Sequence, residues 1–238
     1  MSQTTGHSLS KAEAEKRLAE VRSRIDKACR KSGREPGSVR LLAVSKTFPQ
    51  DMVETYVQAG LSDFGESYIQ EARNKVEELA RRGIVPHWHF IGHLQTNKAK
   101  YAAALFSVVH SVDSLDLAVE LDRRASALNR KIRIYTQVNV SGEDSKSGME
   151  PDDLPRFLDE AGKLPALTIE GLMTIPPWDP DPELARPHFI ALRKLKERCA
   201  PHLSGLSMGM SGDLEVAIEE GATIVRVGTA LFGERDYS

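Results

Sequence analysis

Apolar and polar positions along this chain follow two rhythms, and the chain switches between them at regular intervals. Residues 10–32 repeat apolar side chains at helical spacing, with Leu18, Val21, Ile25 and Cys29 on one stripe. Ser10 and Glu13 form a capping box at the start, and Gly33 suits the position just past the end. Strand-like runs then take turns with helical patterns. A strand over about 40–46 precedes a helix over about 49–59, and "SDFG" precedes a helix over about 66–82. In that second helix Tyr68, Ala72, Val76 and Leu79 share a face, while Glu71 and Lys75 are placed to pair on the outside.

The alternation continues to the end. "HWHFIG" (87–92) leads to a helix from near Gln95, and "FSVVHSV" (106–112) to one from near Ser114. "KIRIYTQVNV" (131–140) precedes a helix over about 151–162, and "LTIEGLMTI" (167–175) a long helix over about 182–199. "LSGLSM" (203–208) leads to "GDLEVAIEEG", and "ATIVRVG" (222–228) closes the series. Strictly alternating strands and helices imply parallel strands joined by right-handed crossovers. About eight such units predict an α/β chain with a single (β/α)8 TIM-type barrel and an additional N-terminal helix, residues 1–238 forming one domain. An open doubly wound sheet needs fewer strands, and no dinucleotide fingerprint follows the first one.

Composition supports that picture. Hydrophobic residues make up 40% of the 238 and charged residues 28%, enough for a sizeable core and too apolar for wholesale disorder. A net charge of −2 gives no overall case for nucleic acid or an anionic membrane. The basic run Arg22, Arg24, Lys27, Arg30, Lys31 and Arg34 reads as a solvated helix face. Cys29 and Cys199 fit neither a disulfide scaffold nor a metal motif, as expected in a reducing compartment. The first 15 residues carry no apolar signal core, and no run reaches the roughly 18–20 apolar residues that span a bilayer. A cytoplasmic protein is expected.

Barrels of this class place their chemistry at the C-terminal ends of the strands. Lys46 ends the first. Side chains alternate along a strand, so Leu42, Val44 and Lys46 share one face, and the lysine points into the barrel mouth. A lysine that loses hydration there becomes a nucleophile towards aldehydes and ketones, whereas one that snorkels into solvent does nothing. The residue alone leaves both readings open.

The last two units tip the balance. "GMSGD" (209–213) is a glycine-bearing turn opening a helix, with Ser211 near its start, and "VGTALFG" (227–233) offers Gly228 and Thr229 just after strand 8. Backbone N–H groups of such turns hold phosphate, and loops after strands 7 and 8 are where this fold most often places one. An amine on strand 1 with a phosphate cradle at strands 7–8 describes a socket for a phosphorylated aldehyde, with pyridoxal 5′-phosphate (PLP) the obvious candidate.

Other polar residues are weighed against that socket. His87 and His89 lie two apart with His93 and His110 further on, but no recognisable spacing supplies further ligands, so no metal is expected. His89 is placed on the pocket lining and His87 at the surface. Gln137 and Asn139 share a face of strand 5, with Asn139 expected at the cofactor level. Lys98 and Lys146 read as solvated loop lysines. Met173, Met208 and Met210 read first as packing residues, and Met210 is also counted with the expected cofactor-binding set.

The segments "LLAVSKT", "FGESYIQEA", "WHFIGHLQTNK", "QVNVSGEDSKSG", "GLMTI", "LSMGMSGDLEVAIEEGATIVRVGTALFG" and the terminal "RDY" resemble the pyridoxal phosphate homeostasis protein family. That family is related in fold to the barrel domain of alanine racemase, of the fold type III PLP-binding class. The resemblance runs from about residue 15 to the end. It implies a Schiff base on Lys46, phosphate at Ser211, Gly228 and Thr229, and Arg226 near the pyridine nitrogen. A cation there disfavours ring protonation and weakens the cofactor as an electron sink. Ser67 departs from the family's usual Asn.

The function this implies is intracellular PLP homeostasis, a carrier or buffer with no dedicated reaction and no catalytic residue. A PLP-dependent enzyme such as an amino-acid racemase is the alternative. Racemisation needs an acid on each face of the α-carbon, and Lys46 is the only one evident. A class I aldolase-like barrel is less favoured, because nothing but Glu66 offers Lys46 a carboxylate partner. Expected partners are PLP and PLP-dependent apo-enzymes, without nucleic acid or membrane, for a protein acting as a monomer.

Overall fold

A computed structural model describes residues 9–143 and 147–234 of the chain. Helix α1 (Lys11–Lys31) comes first, followed by β1 (Arg40–Val44), α2 (Gln50–Gln58), β2 (Asp63–Glu66), α3 (Ile69–Arg81) and β3 (His87–Phe90). Next come α4 (Ala99–Leu105), β4 (Val108–Val112), α5 (Leu115–Ala127), β5 (Ile132–Gln137), α6 (Leu154–Ala161) and β6 (Leu167–Met173). The chain closes with α7 (Arg186–Cys199), β7 (Gly205–Ser207), α8 (Leu214–Glu219), β8 (Ile224–Val227) and α9 (Thr229–Phe232). The strands form a closed parallel barrel in sequence order, with β8 returning to β1 so that Leu42 pairs with Arg226. This is the expected (β/α)8 barrel with one helix in front.

The core divides into two parts. Most apolar side chains lie between the barrel and its helices, where Phe64, Phe90, Phe106, Leu121, Phe189 and Phe232 are fully buried. Each such side chain contributes about 1.5–3 kcal/mol relative to exposure. Inside the barrel a smaller group, Leu42, Val108, Tyr135, Met173 and Ile224, shares the space with buried polar residues.

Several local expectations change. Helix α3 begins at Ile69, not near 66, because β2 keeps Glu66 in the sheet and Tyr68 stays extended as the N-cap. Lys75 does pair with Glu71, at 2.6 Å, but it is buried under β1 and β2 instead of facing water. At α1 the backbone N–H of Glu13 donates to Ser10 Oγ as the capping box requires, while the Glu13 carboxylate accepts from Arg17.

The basic run is exposed at Arg22, Lys27, Arg30 and Lys31, as a solvated face requires, but three of its cations also reach α8 or the turn after it. Arg24 pairs with Glu215 at 2.6 Å, Lys31 pairs with Glu219 at 2.6 Å, and Arg34 donates to the carbonyls of Ile218 and Ala222. The sequence run could not reveal these partners, since α8 lies almost the whole chain away. Among the described residues no helix is long and apolar enough to cross a membrane.

Candidate functional site

A cavity of about 370 Å³ opens at the C-terminal ends of the strands. Lys46, Met210, Ser211, Arg226, Gly228 and Thr229 all line it, so six of the eight expected binding residues meet in one place. They come from the turn after β1, the loop after β7, and β8 with the start of α9.

Lys46 follows β1, and the backbone on both sides of it is clamped from α3. The Ser45 carbonyl accepts from Lys75 Nζ at 2.6 Å, and the Thr47 N–H donates to Glu71 Oε1 at 2.6 Å. Lys75 Nζ also donates to Glu66 Oε1 at 2.8 Å, and the Ser45 hydroxyl donates to the same oxygen at 2.6 Å. Burial pushes the Glu66 carboxyl upward against the pull of Lys75. Glu66 thus anchors the strand end through Ser45 and Lys75. Thr47 has φ +70°, a conformation rare for a β-branched residue and costing of order 1–3 kcal/mol. A forced turn immediately after Lys46 fits a strand end whose side chain has been aimed.

The cradle opposite is built from two loops. Gly209 has φ +92°, and a Cβ on it would lie 2.5 Å from Ala217, so α8 can pack beneath the turn only over glycine. Asp213 Oδ1 accepts from the Met210 N–H at 2.6 Å and closes the turn. The Ala230 N–H approaches Ser211 Oγ at 3.4 Å and joins this loop to the start of α9. Helices α8 and α9 have only six and four residues, so individual N–H and hydroxyl groups, more than any macrodipole, would hold an anion here. Arg24 Nη2 donates to the Ser211 carbonyl at 2.9 Å, which ties the loop to α1.

Arg226 is buried. Its Nη1 donates to Ser207 Oγ at 2.8 Å and its Nη2 to the Thr174 carbonyl at 2.9 Å. Desolvation pushes it down to about 10, with Asp213 opposing, so it remains a cation at neutral pH. A buried guanidinium at a cavity wall keeps its charge at a desolvation cost that these partners only partly offset.

Two expected residues lie elsewhere. His89 sits one layer deeper in the barrel, bonded to His110 and Asp63, because Ile91, two positions further along the chain, takes the place at the cavity wall. Asn139 Nδ2 donates to the Glu143 carbonyl and its Oδ1 accepts from Ser141, so its side chain holds the loop after β5. Gln137 likewise donates to the Ser147 carbonyl. Lys146 and the terminal "RDY" fall outside the described residues.

The structure adds lining residues that the strand-end argument missed. Ile175, Pro177, Trp178, Asp179 and Asp181 arrive on the loop after β6, and Asp213 from within the turn itself. Only the Asp within "GMSGD" carried a signal, as a short polar side chain in a turn. Ser67 also lines the cavity. Gly92 lies against it so closely that a Cβ would come within 2.3 Å of the Ser67 carbonyl oxygen. Among the described residues no group of His, Cys, Asp and Glu forms a metal site.

Known proteins resemble this chain in sequence and fold. The model of the family described as "Alanine racemase, N-terminal domain" matches residues 17–236. A pyridoxal phosphate homeostasis protein of Pseudomonas aeruginosa is 50% identical over 222 residues, covering 92% of this chain and 95% of that one. One of Aquifex aeolicus is 45% identical over 228 residues, covering 93% and 98%. The structure of PipY of Synechococcus elongatus with PLP bound superposes with a TM-score of 0.79 at 37% identity, covering 92% of this chain and all (100%) of that one. An alanine racemase of Clostridium difficile, at 14% identity and a TM-score of 0.72 over 91% of this chain and 56% of that one, shares the fold alone. With identities this high over nearly the full length of both partners, the chain belongs to the family of the pyridoxal phosphate homeostasis proteins.

Proposed function

We propose that this chain binds PLP at the barrel mouth through Lys46, and that it holds and hands over the cofactor in PLP homeostasis without a dedicated reaction. One observation carries the reading. An amine just after β1, hydroxyls and backbone donors after β7 and β8, and a buried guanidinium on β8 line a single cavity. That donor set matches a phosphorylated pyridine aldehyde group by group: Lys46 for the aldehyde, Ser211, Gly228 and Thr229 for the phosphate, Arg226 for the ring nitrogen. When bound, PLP supplies an aldehyde for imine formation and an electron sink for carbanions.

Arg226 weakens the second property. It can only donate, so a ring nitrogen facing it stays an unprotonated acceptor. Among the described residues lining the cavity, Lys46 is the only lysine, and neither histidine nor tyrosine is present. The acid–base groups that line the cavity along with Lys46 are the carboxylates of Asp179, Asp181 and Asp213, while Arg226 supports carriage over carbanion chemistry. The names of the relatives from Pseudomonas aeruginosa and Aquifex aeolicus point the same way, since both denote homeostasis proteins. The chain is taken as one PLP-binding unit acting as a cytoplasmic monomer, with PLP-dependent apo-enzymes as recipients.

Borohydride reduction of the PLP-treated protein followed by peptide mapping is expected to label Lys46, and Lys46→Ala to lose the visible absorption band. Label on another lysine, or a band that survives the substitution, refutes the site. Incubation with L-amino acids in heavy water is expected to give little α-deuteration, and fast exchange restores the racemase reading.

A further inference from the structure

A row of polar side chains crosses the inside of the barrel from its N-terminal mouth to the cavity. His89 Nε2 lies 3.2 Å from Asp63 Oδ1, and His89 Nδ1 lies 2.9 Å from His110 Nε2. His110 Nδ1 lies 2.8 Å from Ser207 Oγ, which accepts from Arg226 Nη1 at 2.8 Å. The members come from β2, β3, β4, β7 and β8. All but Asp63 are buried, and His110 stacks on Tyr135 with ring centroids 4.6 Å apart at 14°. Five polar side chains in a barrel interior shared with Leu42, Val108, Tyr135, Met173 and Ile224 are expensive unless their order matters.

The order can be derived from the ends. Asp63 is held below its ordinary value: burial opposes ionisation, but the bonds from His89 and Ser62 outweigh it, with Arg40 adding to them. As a carboxylate Asp63 only accepts, so His89 carries its proton on Nε2 and its Nδ1 is a lone pair. His110 must then donate from Nε2, which leaves its Nδ1 to accept. Ser207 donates its hydroxyl proton to that nitrogen and turns its lone pairs to Arg226, which has only donors. Every bond in the row therefore points its positive end towards Asp63 and its negative end towards Arg226.

A second proton on either ring has a cost, and on His89 it is taken up only if His110 turns to its Nδ1–H tautomer. On His89 it would set Nδ1–H against His110 Nε2–H, and on His110 it would add a cation beside Arg226. The surrounding charges agree. Arg40 on β1, Arg133 on β5 and Arg226 oppose a second proton, while Asp63 alone favours one on His89. Arg133 is itself paired with Glu170 at 3.3 Å, and His87 lies 3.7 Å from Asp63 at the solvent side. Burial dominates, and both histidines sit below their ordinary range.

We propose that Asp63, His89, His110 and Ser207 form a polarised relay that positions Arg226 and fixes the sign of the field at its guanidinium, with Asp63 setting the direction. Were Asp63 to lose its charge, the row could reverse, with His110 Nδ1–H donating to Ser207 and positive ends facing Arg226. These four are positioning residues. The effect on the cofactor rests on the reading of Arg226 as the partner of the pyridine nitrogen, while the relay itself does not.

The test has two arms. In the cofactor-free protein, imidazole ¹⁵N–¹H spectra are expected to show His89 and His110 as neutral Nε2–H tautomers from pH 5 to pH 9. Asp63→Asn keeps the shape and lifts the polarity, so it is expected to shift at least one ring towards Nδ1–H. An Nδ1–H tautomer or an imidazolium in the unsubstituted protein, or unchanged tautomers in Asp63→Asn, overturns the relay. In the PLP-loaded protein, Asp63→Asn and Ser207→Ala are each expected to move the pH midpoint of the visible band by about half a unit or more. Midpoints unmoved in both variants overturn the link to Arg226. A chain that takes up no PLP refutes the proposed function, and the imidazole spectra still decide the relay.

Discussion

The role proposed for Lys46 needs a held strand end, and the holding is done by charges that touch its neighbours. Lys75 donates to the Ser45 carbonyl and to Glu66, and Glu71 accepts from the Thr47 N–H. Lys75→Met would leave Glu66 buried without its cation, so unfolding in urea is expected to show a loss of roughly 3–5 kcal/mol. Adding Glu66→Leu should recover much of it, because an apolar pair of similar volume suits the same space. If the double variant is no better than the single one, the cluster contributes more than charge compensation. At the other end of the cavity, Ser211→Ala and Thr229→Ala each remove one hydroxyl from the cradle. A hydrogen bond to a charged group contributes about 1.5–3 kcal/mol, so equilibrium dialysis is expected to show PLP affinity falling roughly 10- to 100-fold per substitution. Unchanged affinity in the double variant removes these hydroxyls from the phosphate site.

Among the elements, α1 does more than precede the barrel. Its apolar stripe of Leu18, Val21, Ile25 and Cys29 is buried, and its cations reach α8 and the loop before it. Arg24 joins the two roles, pairing with Glu215 and donating to the Ser211 carbonyl. Both partners of the ion pair are partly exposed, so a double-mutant cycle of Arg24→Ala with Glu215→Ala is expected to give a coupling of only about 0.2–1 kcal/mol. The larger effect of Arg24→Ala should fall on cofactor retention, since it releases the Ser211 turn; faster PLP loss by gel filtration checks this, and unchanged loss refutes it. Element order and type were legible because each helix shows its stripe and each strand its apolar run. The bounds of α3 were not, because "ESY" has no periodicity of its own and only the β2–β3 pairing keeps Glu66 in the sheet.

For the whole molecule, the barrel interior sets a pH dependence. His89 and His110 are held below the ordinary value of 6.5, chiefly by burial, so the unfolded chain binds protons the folded one refuses. Their contribution is present above about pH 6.5 and is lost as pH falls below it. Asp63, held down to about 2 from 3.8, contributes above about pH 4 and loses that contribution as pH falls towards 2. The urea midpoint is expected to decline from pH 7 to pH 5, while the carboxylates remain largely ionised, and to fall further below pH 4. A midpoint flat between pH 7 and pH 5 contradicts the neutral buried pair.

The sequence by itself determined the barrel, the place of Lys46 at a strand end and the two loops opposite, because periodicity and glycine-bearing turns are local properties that survive as text. It also led to six of the residues that meet in the cavity. Only the tertiary structure decided which buried polar groups face one another. His89 was legible as an inward-facing residue of β3, yet its partners Asp63 and His110 lie on neighbouring strands, and Ser207 and Arg226 complete the row from β7 and β8. Lys75 looked like one half of a surface pair until β1 and β2 closed over it. Contacts across a closed barrel depend on register and on the height of each residue within the barrel. Those are fixed by the strand pairing as a whole, and no single segment carries them.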